Sequence, residues 1–133
     1  MSRQIFVNLP TRDIGRSRTF YAGLGWDINP ELSDENAICV VVSDTLYLVI
    51  LTKGYLQKHS GMPIPYPETE LQGDSVFSEE SRQAVDELVA RATQFGGTEP
   101  RPPRDLGSMY YRAVLDPDGN RLGFVYLDPA LVA

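Results

Sequence analysis

The sequence predicts an α+β protein of two tandem βαβββ modules, and three observations carry that expectation. Short β-branched or apolar runs alternate with two amphipathic stretches, and the order of elements repeats. Each amphipathic stretch ends on glycines, Gly23-Leu-Gly25 in the first half and Gly96-Gly97 in the second. The span from post-helix glycine to hairpin tip is nearly equal in the two halves, Gly25 to Asp44 against Gly97 to Gly119.

Gln4 to Leu9 is apolar and β-branched and runs into Pro10, so it reads as a strand. Thr11 to Gly23 places Ile14, Phe20, Tyr21 and Leu24 at helical offsets, with Thr11 or Asp13 as N-cap. Trp26 to Asn29 is a short strand, with Trp26 read as core. Asn36 to Val42 and Thr45 to Leu51 form a hairpin about Ser43-Asp44. The residues from Lys53 to Gln72, with Gly54, Tyr55, His59, Gly61, Pro63, Pro65 and Pro67, read as a linker with room for one helical turn. Asp74 to Ser78 opens the second module. Glu79 to Phe95 follows as a helix, with Val85, Leu88, Val89, Ala92 and Phe95 on one stripe and Ser78 as cap. Ser108 to Leu115 and Asn120 to Leu127 flank the turn Asp116-Pro-Asp-Gly119. The domain is thus expected to fill residues 1–133, with module one at about 1–52, a linker at about 53–72 and module two at about 73–128.

Composition excludes several classes of function. The chain has 133 residues, 12 basic against 18 acidic, and a net charge of −6, which leaves no electrostatic footprint for nucleic acid or anionic lipid. One cysteine cannot form an internal disulfide, and one histidine cannot build a multi-histidine metal cluster. The longest apolar run, Leu46 to Leu51, is too short to span a membrane. The start of the chain carries no signal-peptide pattern, so a soluble, cytoplasmic protein is expected. Cys39 reads as a small buried hydrophobe and His59 as a surface residue.

Side-chain alternation along the strands sorts residues into faces. A four-residue turn would set Leu115 opposite Asn120, Ala113 opposite Leu122 and Tyr111 opposite Phe124. That puts Tyr110, Arg112, Val114, Arg121, Gly123 and Val125 on the face away from the helices. A β-bulge would exchange the two sets. Both faces of the first hairpin are apolar, so one of them should line a cavity or meet a partner subunit.

The motifs Val7-Asn-Leu-Pro-Thr-Arg-Asp13, Arg16-Ser-Arg-Thr-Phe-Tyr21, Gly23-Leu-Gly25 and Asp116-Pro-Asp-Gly119, set in two βαβββ units, resemble the vicinal oxygen chelate superfamily of glyoxalases, bleomycin-resistance proteins and extradiol dioxygenases. Asp34-Glu-Asn-Ala37, Ser81-Arg82 and Gly107-Ser-Met-Tyr110 add a likeness to an uncharacterised bacterial branch. The resemblance implies a cup-shaped mixed sheet with helices on its outer face and a ligand inside. It also implies four metal-ligand positions, which fall on Phe6, Ile50, Asp74 and Gly123. Only Asp74 carries a donor, so no metal and no other cofactor is expected. The expected function is metal-independent binding of an amphipathic or anionic small molecule by a homodimer. The candidate contacts are Phe6, Asn8, Leu48, Ile50, Asp74, Tyr110, Arg112 and Arg121. Arg112 is expected to pair with Asp74 or with a ligand anion. The alternatives are a lyase, isomerase or dioxygenase-like enzyme with a relocated metal or none, and a dimerisation scaffold without a ligand.

Overall fold

A computed structural model describes residues 2–65, 71 and 73–132. Pro67 and the rest of the expected linker at 66–70 and 72 lie outside them. The elements are β1 (Ile5–Thr11), α1 (Ile14–Gly23), β2 (Asp27–Asn29), β3 (Ala37–Val41), β4 (Leu46–Thr52), α2 (Lys53–Ser60), β5 (Asp74–Ser78), α3 (Arg82–Gln94), β6 (Arg104–Asp105), β7 (Met109–Leu115), β8 (Arg121–Leu127) and α4 (Pro129–Val132). The sheet orders β1-β4-β3-β2 and β5-β8-β7-β6 are the same arrangement twice. In each, the first strand runs parallel to the last and the other pairings are antiparallel. This is the α+β architecture of two βαβββ modules, with helices on the outer face of a cup.

Local chemistry explains the helix limits. The Asp13 carboxylate caps α1 by accepting from the Arg16 amide at 3.1 Å. Ser81 rather than Ser78 caps α3, its hydroxyl accepting from the Ala84 amide at 3.0 Å, so Glu79 and Glu80 precede the helix. Both helices leave through glycines at positive φ, Gly25 at 92° and Gly96 at 107°, where a side chain would be strained. The expected single turn in the linker is a two-turn helix, α2, that packs on β1 and β4.

The core is shared by both modules. Phe20, Tyr21 and Leu24 of α1 and Val85, Leu88, Val89 and Ala92 of α3 pack with Ile38, Val40, Leu48, Ile50, Phe77, Val114, Leu122 and Phe124. Trp26 packs edge-on to Phe77, with ring centroids 5.5 Å apart, which bears out its reading as core. A polar clasp also joins the modules. Thr11 Oγ1 donates to Asp118 at 2.6 Å, Arg16 Nη2 reaches Asp118 at 2.7 Å, and Tyr21 donates to Asp116 at 2.7 Å. Burial first, and the neighbouring Asp116 and Asp118 second, hold the Tyr21 phenol well above its usual range. Desolvation likewise raises the Asp116 carboxyl, against the hydrogen bonds from Tyr21 and Asn120.

Both hairpins are closed by five residues, an odd number, in place of the two expected at Ser43-Asp44 and the four expected at Asp116–Gly119. Val41 faces Tyr47, and Leu115 faces Arg121. An odd loop exchanges the faces of one strand relative to the other. In the second hairpin Val114, Arg112 and Tyr110 therefore stand with Leu122, Phe124 and Tyr126 on the helix side. Leu115, Ala113, Tyr111 and Met109 share the open face with Arg121, Gly123, Val125 and Leu127. The exchange holds in the first hairpin too. Ile38 and Val40 lie with Ile50 and Leu48, and Ala37, Cys39 and Val41 lie with Leu51, Val49 and Tyr47.

Candidate functional site

The unpaired edges of β1 and β5 border a cleft between the two sheets. A cavity of about 410 Å³ opens there, floored by Val7–Pro10, Asp74 and Ser75, walled by Leu56, Ile64 and Leu71, and closed by Gly119, Asn120 and Arg121. A second cavity of about 260 Å³ shares Val7, Asp74 and Ser75, and adds Ile5, Leu46, Tyr47, Leu48, Val76 and Phe77. The seam therefore joins an apolar surface to a short row of polar groups. Asn120 is fixed by donating to the Pro10 carbonyl at 3.0 Å and to Asp116 at 2.8 Å.

Asp74 faces the cleft, and its partner is Arg121 rather than Arg112. The two residues are in register across β5 and β8, with Arg121 Nε 3.5 Å from the carboxylate. Both are candidate contacts in the sequence, and they form one ion pair on the cavity wall. Asn8 lines the larger cavity. Phe6 lies on the open face, 48% exposed and stacked on Tyr47 with ring centroids 4.6 Å apart.

Four expected contacts stand elsewhere. Arg112 is on the helix side, held by Glu99 through Nε and Nη2 at 2.8 Å each and by Asp86 through Nη1 at 2.8 Å. Its guanidinium is held more strongly protonated, first by the hydrogen bonds to Glu99 and against the cost of burial. Tyr110 is on the same side, donating to Asp86 at 2.6 Å beneath the Arg82 guanidinium. The Tyr110 hydrogen bond, followed by that from Arg112, holds the Asp86 carboxyl below the usual carboxylate range. Leu48 and Ile50 are wholly buried in the shared core. Leu48 reaches only the inner wall of the smaller cavity, and Ile50 reaches neither. The extra residue in the second hairpin loop accounts for Arg112 and Tyr110, whereas Ile50 faces the core because β4 is fixed in register with β1.

The metal positions implied by resemblance do not fit a metal. Phe6 has no donor, Ile50 faces the core, and Asp74 is spent on Arg121. Gly123 lies beneath the ring of Tyr111, so that a methyl group there would stand 2.7 Å from Cε2 and 2.8 Å from the hydroxyl. A ligating side chain at 123 would thus occupy the space Tyr111 fills. Among the described residues, no group of three or more His, Cys, Asp or Glu side chains is placed to hold an ion. Cys39 is 2% exposed and burial pushes its thiol up, which leaves it a packing residue rather than a nucleophile. His59 is exposed on α2 beside Tyr55.

Residues 3–43 match the family model for the N-terminal part of bleomycin-resistance-like proteins. No curated protein matches the chain at a significant level. Solved structures match over almost its full length. A glyoxalase-related enzyme from Fulvimarina pelagi superposes with a TM-score of 0.78 at 20% identity, covering 95% of this chain and 88% of its own. A glyoxalase/bleomycin resistance protein/dioxygenase family enzyme from Burkholderia phytofirmans PsJN gives 0.76 at 19% identity, covering 95% and 99%. A lactoylglutathione lyase from Agrobacterium tumefaciens gives 0.68 at 17% identity, covering 95% and 94%. The chain thus shares the fold of these glyoxalase and bleomycin-resistance structures. Over residues 3–43 its sequence is also bleomycin-resistance-like.

Proposed function

We propose that the protein is a metal-independent binder of an amphipathic small molecule, held in the cleft between β1 and β5. The observation that carries this reading is the seam cavity of about 410 Å³, within the range of small-molecule sites, whose one inward carboxylate is already paired with an arginine. Leu56, Ile64 and Leu71 offer an apolar wall, and Asn8, Asn120 and the Asp74–Arg121 pair offer polar anchors. The apolar wall supplies affinity through burial, and the fixed amides set orientation. Lactoylglutathione lyase chemistry in a neighbour of 17% identity is a property of that protein, and no observed donor set favours it here.

The same reading makes the protein a homodimer. Phe6 and Val76 stand on the open face at 48% and 49% exposure, large apolar groups that a second copy would cover. The test is direct titration with a neutral fluorescent probe, N-phenyl-1-naphthylamine, on protein whose metal content has been measured. The expected result is saturable binding at one site per chain, with less than a tenth of an equivalent of metal, and loss of binding in Leu56→Asp. Absence of saturable binding, or binding that requires an added divalent ion, would overturn the proposal.

A further inference from the structure

The open face of the second sheet gathers three arginines around one phenol. β6 pairs Arg104 with Tyr111 and Asp105 with Tyr110, so alternation sends the two pairs to opposite faces. On the helix side the charges are matched. Asp105 takes the Arg82 fork at 2.7 and 3.0 Å, and Arg112 takes Asp86 and Glu99. On the open side Arg104 meets Arg101 and Arg121 around Tyr111, in a depression of about 140 Å³ completed by Pro102 and Ala113. Among the described residues lining this depression and the seam cavity, Asp74 is the one carboxylate, and it is engaged by Arg121. Among the described residues neither Arg101 nor Arg104 has an ion-pair partner. The chain carries a net charge of −6, so a local excess of cations is against its overall balance.

The depression is also held in place. Pro100, Pro102 and Pro103 fix the approach to Arg104, and the far side of the loop is pinned by Arg82, which donates to the Gly107 carbonyl at 2.7 Å. Arg121 lines both this depression and the seam cavity, so the two adjoin at its side chain.

We infer that Arg101, Arg104 and Arg121, with the Tyr111 hydroxyl, form an oxyanion site that takes the carboxylate, sulfonate or phosphate end of a ligand whose apolar body lies in the seam cavity. This rests on the binder reading and narrows its ligand to an amphipathic anion. Planar guanidinium groups suit such an end because they present paired donors. Asp74 neutralises Arg121, and Arg101 and Arg104 supply the net charge.

The test compares two probes of similar shape, the anionic 8-anilinonaphthalene-1-sulfonate and the neutral N-phenyl-1-naphthylamine. Both are titrated into the wild type, the double variant Arg101→Gln/Arg104→Gln, and the control Arg3→Gln/Arg18→Gln, which removes the same charge elsewhere. The expected result is about tenfold or greater loss of sulfonate affinity in the first variant. Neutral-probe affinity should be unchanged within twofold, and the control should resemble the wild type. Equal sulfonate affinity in wild type and variant, with neutral binding intact, would overturn the oxyanion site and leave the binder reading standing. An equal loss in the control, or a parallel loss of both probes, would also overturn it. A wild type that binds neither probe would overturn both.

Discussion

Removing the Asp118 carboxylate should loosen the two modules from each other. Its side chain has no exposure and accepts from Thr11 Oγ1 at 2.6 Å, the Arg12 amide at 3.0 Å and Arg16 Nη2 at 2.7 Å. The three bonds are not equal. Arg16 is 44% exposed and returns to water when released, so its share is at most about 1 kcal/mol. Thr11 is 1% exposed; its hydroxyl keeps Ser17 Oγ at 2.7 Å and the Asp13 carbonyl at 3.2 Å but loses its charged acceptor, a loss of about 1–2 kcal/mol. The Arg12 amide lies at the surface and adds about 1 kcal/mol. Asp118→Ala should therefore cost about 3 kcal/mol, and Arg16→Gln at most about 1 kcal/mol. For a chain of 133 residues this corresponds to a fall in Tm of about 10–15 °C for the alanine variant. Urea unfolding followed by Trp26 fluorescence and by far-UV circular dichroism measures the loss. A cost below about 1 kcal/mol for Asp118→Ala, or an Arg16→Gln cost that equals it, would refute the clasp as a buried inter-module tie.

Other predictions follow from single contacts. Gly123→Ala places a methyl group 2.7 Å from the Tyr111 ring and should cost about 1–3 kcal/mol, most of it recovered in Gly123→Ala/Tyr111→Ala. Full stability of the single variant in a thermal melt would show that Tyr111 does not rest on residue 123. The Asp86 carboxyl is held below its usual value, so its contribution to stability is present at neutral pH and is lost as pH falls through its folded pKa. Carbon-detected NMR titration should find that pKa raised by Tyr110→Phe and by Arg112→Met. Phe6→Asp with Val76→Asp should turn a dimer into a monomer in sedimentation velocity, and a wild-type monomer at tens of micromolar would remove the homodimer from the proposal.

Much of the fold was legible because its punctuation is chemical. Gly25 and Gly96 end the two helices at positive φ, and Asp116-Pro-Asp-Gly119 turns the last hairpin, so element order and the repeat follow from residue types alone. The faces were less legible, because alternation has a period of two and its phase depends on the loop count. Asp116 accepts from the amides of Asp118 and Asn120 at 2.9 Å each, which draws Asn120 into the loop and moves the first pair to Leu115 and Arg121. Arg112 and Tyr110 consequently look like ligand contacts in sequence and prove to be helix anchors. Asp74 and Arg121 were recognisable singly, one at a strand start and the other after a turn, but only the parallel pairing of β5 with β8 joins them. Arg101 and Arg104 sit in a proline-rich connection with no periodicity to read. A signal was present in the Pro100-Arg-Pro-Pro-Arg104 run, where two cations are held by three rigid residues.

The five-residue loops bear on how this architecture can change over time. Substitution alters a lining one side chain at a time, whereas deletion of a single residue from Asp116–Asn120 would turn β7 over as a unit. β8 is held on its other edge by the whole of β5, whereas β7 has there only the two-residue β6, so β7 is the strand that would invert. Tyr111 and Ala113 would go to the helices, and Tyr110 and Arg112 would come to the interior of the cup. Loop length is thus a selector between two complete linings written in one strand, and the duplicated hairpin gives the chain two such selectors. A lineage that gains or loses one residue at either loop would exchange the side chains lining the cup in one step.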